Sequence, residues 1–445
     1  MTTTPQPIPA ERLQERQRQA AERLAGGVMV LPGAPVRYRS RDTEYPHRPD
    51  SELYWLTGLT EPGAVAVLRG GADPALEIFV RPRDPEAELW SGARLGPDGA
   101  AEVSGADAAH PLPELGARLA ALLDGAAAVH FRLGAHPEVE PLVVEGLRRA
   151  RARGARKGTG PRAVVDPGEI LDELRLRKDD WELARIREAA RITQAGFRAL
   201  QARLVPGVPE HALQATLEAV FREEGGEGPA YESIVGSGPN ACVLHYVENR
   251  RVVQAGDLVL VDAGASFGWY AGDITRTYPA AGAFTPGQRD LYRVVEEARA
   301  AAVEQVRPGV TVGSVHDVAV GILTRGLVEL GILEGEVEAL VEAEAHKPFF
   351  PHQTSHWLGL DVHDVGDYAR DGDSRILEPG MVLTVEPGLY FGPGAMEAVG
   401  ERGAAFRGMG IRIEDDILVT GDGRENLTAA LPSSLEEVEA AFRGA

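Results

Sequence analysis

The chain has 445 residues, 67 acidic and 46 basic, for a net charge of −21. That excess of acid argues against a nucleic-acid backbone as partner, and no run approaches the ~18 apolar residues of a membrane span. At 44% hydrophobic residues the chain is globular in composition and too long for one ordinary core, so two domains are expected. The start, "MTTTPQPIPAERLQERQRQAAERL", has no apolar secretory core and reads as a disordered tip entering a helix. Cys242 is the single cysteine, so no internal disulfide can form, and a reducing cytoplasm is the expected location.

In chain order, residues 9–25 read as a helix. "GVMVLPG" (27–33), "GAVAVLRG" (63–70), "ALEIFV" (75–80) and "AAVHFRLG" (127–134) read as short strands, with helices near 112–124 and 138–153. This is an α/β pattern. The stretch 151–168, "RARGARKGTGPRAVVDPG", is basic, weakly periodic and Gly- and Pro-bearing, which suits a connector. Domains 1–172 and 173–445 follow.

A strong helix begins after the connector. Asp179 or Asp180 can cap it, Trp181, Ala184, Ile186 and Ile192 form its stripe, and Pro206-Gly207 ends it. A second helix spans about 209–224, and residues 230–280 are rich in strands. The pattern returns with helices at about 286–306 and 314–330 and strands onward to 430. "LVPGVPEHALQATLEAV" and "VRPGVTVGSVHDVAVGI" echo each other, so the second domain is expected to hold two similar halves, each with two helices feeding a sheet.

Acids stand where burial is expected. The apolar run Leu258–Val261 ends in Asp262, and a Gly-rich turn leads to a second strand near Asp273. In "MVLTVEPGLYF" Glu386 ends an apolar strand, and in "GMGIRIEDDILVT" alternation puts Arg412 and Glu414 opposite Ile411 and Ile413. One Asp beside a Gly is ordinarily a turn cap. Four such carboxylates carry a desolvation cost of several kcal/mol per unpaired ion, which cations must offset. Arg412 can offset one; metals offset several.

The stretch "PHQTSHWLGLDVHD" (351–364) holds three histidines, which suggests zinc at first sight. Four carboxylates with one of these imidazoles make an oxygen-rich set instead. That favours two harder divalent ions, Mn²⁺ first, with Co²⁺ or Zn²⁺ able to compete.

"IVGSGPNACVLHY" (234–246), "VDAGASFGWYAGDITRT" (261–277), "HQTSHWLGLDVHD" (352–364), "TVEPGLY" (384–390) and "GIRIEDDILVT" (410–420) resemble the pita-bread metallopeptidases, and within them the aminopeptidase P branch. "DTEYPHRPDSELYWLTGLTEPGAVAVL" (42–68) and "ELWSGARLG" (88–96) resemble that branch's N-terminal domain. The resemblance implies an α/β creatinase-like N-terminal domain followed by an α+β pita-bread catalytic domain with pseudo-two-fold halves. It makes Asp262, Asp273, His356, Glu386 and Glu414 the ligands of two metal ions, with Asp273 and Glu414 bridging. His245 and His363 match histidines that contact substrate and stabilise the developing oxyanion. His352 matches a site histidine that does not ligate metal. Arg412 and Tyr390 match groups behind the ligands, and Tyr231 and Trp90 match residues lining the site.

The implied activity is hydrolysis of the Xaa-Pro bond at a peptide's N-terminus by a hydroxide shared between two ions, with Glu386 passing a proton to the leaving nitrogen. The implied partners are peptides with proline second, and further copies of the chain in a dimer or tetramer. A prolidase acting on Xaa-Pro dipeptides would use the same ligands; a non-enzymatic binding protein on this fold would be expected to have lost some. His211 and His316, on expected helices, read as ordinary residues. One departure from the family stands out: Gln353 occupies the place of a glycine.

Overall fold

The computed structural model describes residues 4–71 and 75–443; the tip Met1–Thr3, read from sequence as disordered, lies outside them. Two compact units result, one of Gln6–Arg175 and one beginning at Leu176, the division falling in the helix Gly168–Leu176.

The N-terminal unit is built on one six-stranded mixed sheet. Its strands are β1 (Val28–Pro32), β2 (Val65–Arg69), β3 (Ala75–Val80), β4 (Ala108–Pro111), β5 (Ala128–His130) and β6 (Ala163–Val165), in spatial order β4-β3-β2-β1-β5-β6. Helices α1 (Ala10–Arg23), α2 (Pro85–Ser91), α3 (Leu115–Leu122) and α4 (Glu140–Gly154) belong to it. Val30, Val67 and Phe79 of the central strands pack with Leu119 of α3 and Val143 of α4. Both outermost strands escaped the sequence reading. β4 is "AAHP", half-buried, and β6 lies inside the stretch read as a connector; neither carries the apolar run that marks a central strand.

The second unit repeats one design. Helices α5 (Asp180–Arg203) and α6 (Glu210–Glu223) pair beside an antiparallel sheet of β7 (Ile234–Ser237), β8 (Leu258–Ala263) and β9 (Ile274–Pro279). Helices α7 (Pro286–Gln305) and α8 (Val312–Glu329) pair likewise. The second half's strands are β10 (Val382–Val385), the short pair β11 (Gly388–Tyr390) and β12 (Gly410–Arg412), β13 (Asp415–Val419) and β14 (Arg424–Asn426). β10, β13 and β14 form its three-stranded antiparallel sheet. Asp179 caps α5 in a capping box with Glu182, and Thr285 caps α7 the same way with Gln288. Leu213, Leu217 and Phe221 of α6 share a core with Val259 and Val261 of β8 and Leu291 and Val295 of α7.

Residues 331–381 depart from the expected run of strands. A short helix, Val337–Glu342, is followed by irregular chain through Pro348 and Pro351, where proline removes the donors a ladder needs. That chain is nonetheless fixed at its far end. Residues 354–358 run along the free edge of β10: Glu386 N–H donates to the Thr354 carbonyl, Thr384 N–H to His356 and Leu358 N–H to Val382. Alternation along this edge sends Trp357 into the core, stacked on Tyr368, and turns His356 the other way.

Candidate metal centre

Asp262 lies in β8 directly across from Thr275 of β9, and Asp273 immediately precedes β9. Gly264 and Gly272 let the connecting turn close: a Cβ on Gly264 would sit 1.6 Å from the Gly272 carbonyl oxygen. The two aspartates thus meet at one hydroxyl. Tyr231 Oη is 2.6 Å from Asp262 Oδ1 and also reaches Asp273 Oδ1. Glu386 occupies the break between β10 and β11, and Glu414 the break between β12 and β13.

The run Glu414-Asp415-Asp416 divides by period two. Glu414 faces the cage, where Thr275 Oγ1 donates to its Oε2 at 2.6 Å. Asp415 points away, to Arg276 at 2.7 Å and Arg299 at 2.5 Å, and those cations hold its carboxyl below the usual range although burial opposes them. Asp416 returns to the first face and accepts the Asp273 backbone N–H at 3.1 Å.

Asp273, His356 and Glu414 each bring one ligand atom within 4.8 Å of the others. Glu386 Oε1 is 3.5 Å from His356 Nε2, and Asp273 Oδ2 is 3.4 Å from it. His356 Nδ1 lies 3.0 Å from the Trp357 carbonyl, which can only accept, so Nδ1 carries the proton and Nε2 is left for a metal.

Burial lifts the Asp262 carboxyl against the pull of Arg412, whose Nη2 is 2.5 Å away. Burial raises Glu386 to about 7 despite His356 and Arg412, and burial with the Asp273 charge pushes Glu414 far up. Burial works against a charged His356, but Asp273 and Glu386 prevail and raise it to about 9. Four acids and an imidazole so arranged lack positive charge, which one arginine does not supply. The donor set fits divalent cations.

Behind the ligands runs a directed chain of hydrogen bonds. Arg412 Nη1 donates to Tyr390 Oη at 2.8 Å, Tyr390 Oη lies 2.9 Å from His352 Nε2, and His352 Nδ1 lies 2.8 Å from the Gln353 carbonyl. The carbonyl requires a proton on Nδ1, so Nε2 accepts from Tyr390. Burial, then the Arg412 charge, depresses His352 to about 3 and keeps it neutral.

The four acids and the imidazole line a cavity of about 1150 Å³, together with Tyr231, His245, His352, His363 and Arg412. The His363 ring is 4.3 Å from that of His356, centroid to centroid. Tyr390 stands behind the wall. Trp90 is 85% exposed on α2, a helix of the N-terminal unit that buries none of its side chains. His211 is exposed on α6. His316, read from sequence as ordinary, lines the cavity from α8 with its Nδ1 2.9 Å from Thr354 Oγ1. Nothing local marked it, since a single His on a helix has no partner in sequence. Thr275 and Asp416 were also missed; the repeated acid in "EDD" was the available signal for Asp416.

Two family models match the chain: metallopeptidase family M24 over residues 184–421, and aminopeptidase P, N-terminal domain, over residues 13–130. The Xaa-Pro aminopeptidase of Escherichia coli (strain K12) is 43% identical over 97% of this chain and 98% of its own. That of Haemophilus influenzae is 38% identical over 97% of each. Among solved structures, zinc-substituted E. coli aminopeptidase P in complex with product superposes with a TM-score of 0.93 at 42% identity, covering 99% of both chains. Pseudomonas aeruginosa aminopeptidase PepP gives 0.92 at 41% identity, covering 98% of this chain and 99% of that one.

Proposed function

This chain belongs to metallopeptidase family M24, and from that premise we propose that it is an Xaa-Pro aminopeptidase, releasing the first residue of peptides whose second residue is proline. The observation that carries the reading is the cavity wall on which all five acid and imidazole ligands face the same space. Asp262, Asp273, His356, Glu386 and Glu414 would hold two divalent ions, Mn²⁺ by preference for so many oxygen donors, with Co²⁺ or Zn²⁺ as substitutes. Such a pair supplies a water acidified toward neutrality and a Lewis acid for the scissile carbonyl.

The remaining roles fall to side chains. His363 and His245 line the cavity, and each would donate to the negative charge that develops on the carbonyl oxygen. Glu386, on the same cavity wall, would take up the proton released by the attacking water and pass it to the leaving prolyl nitrogen, which has none of its own. His352 and Tyr231 form part of the wall for the ring.

Cavity size favours this reading over a dipeptidase. About 1150 Å³ exceeds the ~300–1,000 Å³ usual for small-molecule sites, and the lining continues past the cage to Val312, His316, Tyr368 and Ser374. Chelator-stripped protein reloaded with Mn²⁺ is expected to release Xaa from Xaa-Pro-Yaa and to be slower on Xaa-Pro. Hydrolysis confined to the dipeptide would make the protein a prolidase. No hydrolysis of either, with no ion retained, would leave a binding protein. Among the described residues no helix is long and apolar enough to cross a membrane. A cytoplasmic location and a homo-oligomer, dimer or tetramer, complete the proposal; cell fractionation and light scattering test them.

A further inference from the structure

His245 reaches the cavity on residues 243–250, a stretch with no helix or strand. What fixes that stretch comes from α6. The Glu210 side chain is fully buried and accepts five hydrogen bonds. Ser237 N and Oγ (2.7 Å each) and Asn240 Nδ2 (3.2 Å) donate to Oε1; Tyr246 Oη (2.9 Å) and Arg251 N (2.8 Å) donate to Oε2. One turn along α6, Gln214 Oε1 accepts from Asn249 Nδ2 at 2.9 Å. Asn249 is itself buried, in the left-handed region at φ 49°, and is tied by its other groups to Val235 N and the Ser233 carbonyl. So the residue after His245, and the residues four and six beyond it, are all held by neighbouring groups of one helix or by the strand that helix touches.

We propose that Glu210 is the positioning residue for His245: its carboxylate knots the 237–251 segment onto α6 and so sets where the imidazole stands in the cavity, without touching substrate. The knot requires a carboxylate. Five donors converge from two sides, and only an ionised acid accepts on both oxygens. An amide of the same shape would turn its NH₂ toward a backbone N–H on one side or the other, and that donor would lose its acceptor. The catalytic part of this inference rests on the peptidase reading above; the knot itself does not.

Two measurements on full-length protein separate them. In hydrogen–deuterium exchange, Glu210→Gln is expected to speed exchange of residues 243–250 roughly tenfold, as losing one to two net hydrogen bonds would, with β8, β9 and β13 unchanged. In Mn²⁺-loaded turnover of Xaa-Pro-Yaa, Glu210→Gln is expected to lower kcat with little change in KM. It is expected to add no loss to His245→Ala, because the two act as one unit. If Glu210→Gln slowed the His245→Ala enzyme as much as it slows the native one, or left exchange of 243–250 unaltered, the assignment would be overturned. Should Glu210→Gln fail to fold, Tyr246→Phe removes one of the five donors and is expected to move both readouts the same way by less. Exchange unchanged in that variant would also overturn the assignment. If native protein shows no turnover at all, the peptidase reading falls while the exchange experiment still decides the knot.

Discussion

Lys178 Nζ lies 2.9 Å from Asp364 Oδ2, with the two side chains 1% and 2% exposed. The pair joins the start of the second unit to the residue beside His363. Its surroundings are close-fitted: a Cβ on Gly359 would sit 2.1 Å from Asp364 Oδ2 and 2.9 Å from Lys178 Cε. Removing the lysine takes a cation at 2.9 Å away from a buried carboxylate. Lys178→Met is therefore expected to lower unfolding free energy by ~3–5 kcal/mol, read from the urea midpoint at unchanged m-value. A midpoint within error of the native one would show that the pair contributes nothing.

Ligand loss should appear as metal loss before it appears as anything else. His356→Ala and Asp273→Ala each remove a ligand atom from the group that lies within 4.8 Å. Each is expected to cut Mn²⁺ affinity by ~100-fold or more and to abolish Xaa-Pro-Yaa hydrolysis. Metal analysis after gel filtration checks the first, and a coupled amino-acid release assay the second. Full activity in both variants would sink the ligand assignment.

A carboxyl of the N-terminal unit gives a pH test of stability. Asp172, in the helix Gly168–Leu176, is pushed up from 3.8 to about 6, chiefly by burial and then by the Glu52 charge, and its Oδ1 is buried without a hydrogen bond. The folded state holds this proton more tightly than the unfolded one. The group's stabilising share is present below pH 3.8 and lost as pH rises through about 6. Asp172→Asn should stabilise the protein at pH 8 by ~1 kcal/mol once solvent screening is allowed for, seen as a higher melting midpoint, and leave the midpoint nearly unchanged at pH 4. Scanning fluorimetry at both pH values decides it; no gain at pH 8 would mean that the charge is already solvated.

Gln353, the departure from the motif that the resemblance pointed to, needs no distortion of the chain beside the candidate ligands. Its backbone is outside the positive-φ region, so nothing here requires glycine's freedom. Its carbonyl accepts from His352, a bond any residue can make, and the exposed residue is part of the cavity lining. Gln353→Gly should leave Mn²⁺ binding and melting temperature unaltered and change KM for longer peptides by a few-fold, about 1 kcal/mol or less. A large change in metal affinity would contradict this.

What could be read in advance tracks where the information resides. Glu386 and Glu414 were legible because an acid ending an apolar strand conflicts with its own neighbours. The helices α5 to α8 were legible from period and caps. β4 and β6 were not, because outer strands bury too little to be patterned. His316 joins the cavity through Thr354, thirty-eight residues away in sequence, and Glu210 gathers donors from residues 237 to 251. Such partnerships exist only after folding and leave no periodic trace.

The run Glu414-Asp415-Asp416, which enters β13 from the break before it, has a consequence for how this chain can vary. Glu414 and Asp416 serve the cage side, Asp415 the two arginines behind, and all three carry the same charge. Charge alone cannot keep them in order; chain length upstream does. Substitutions here would alter one contact at a time. Inserting or deleting a single residue before Glu414 would turn Asp415 toward the metals and strand Arg276 and Arg299 without their acid. Among relatives that keep the activity, length in this stretch should be fixed even where the letters change.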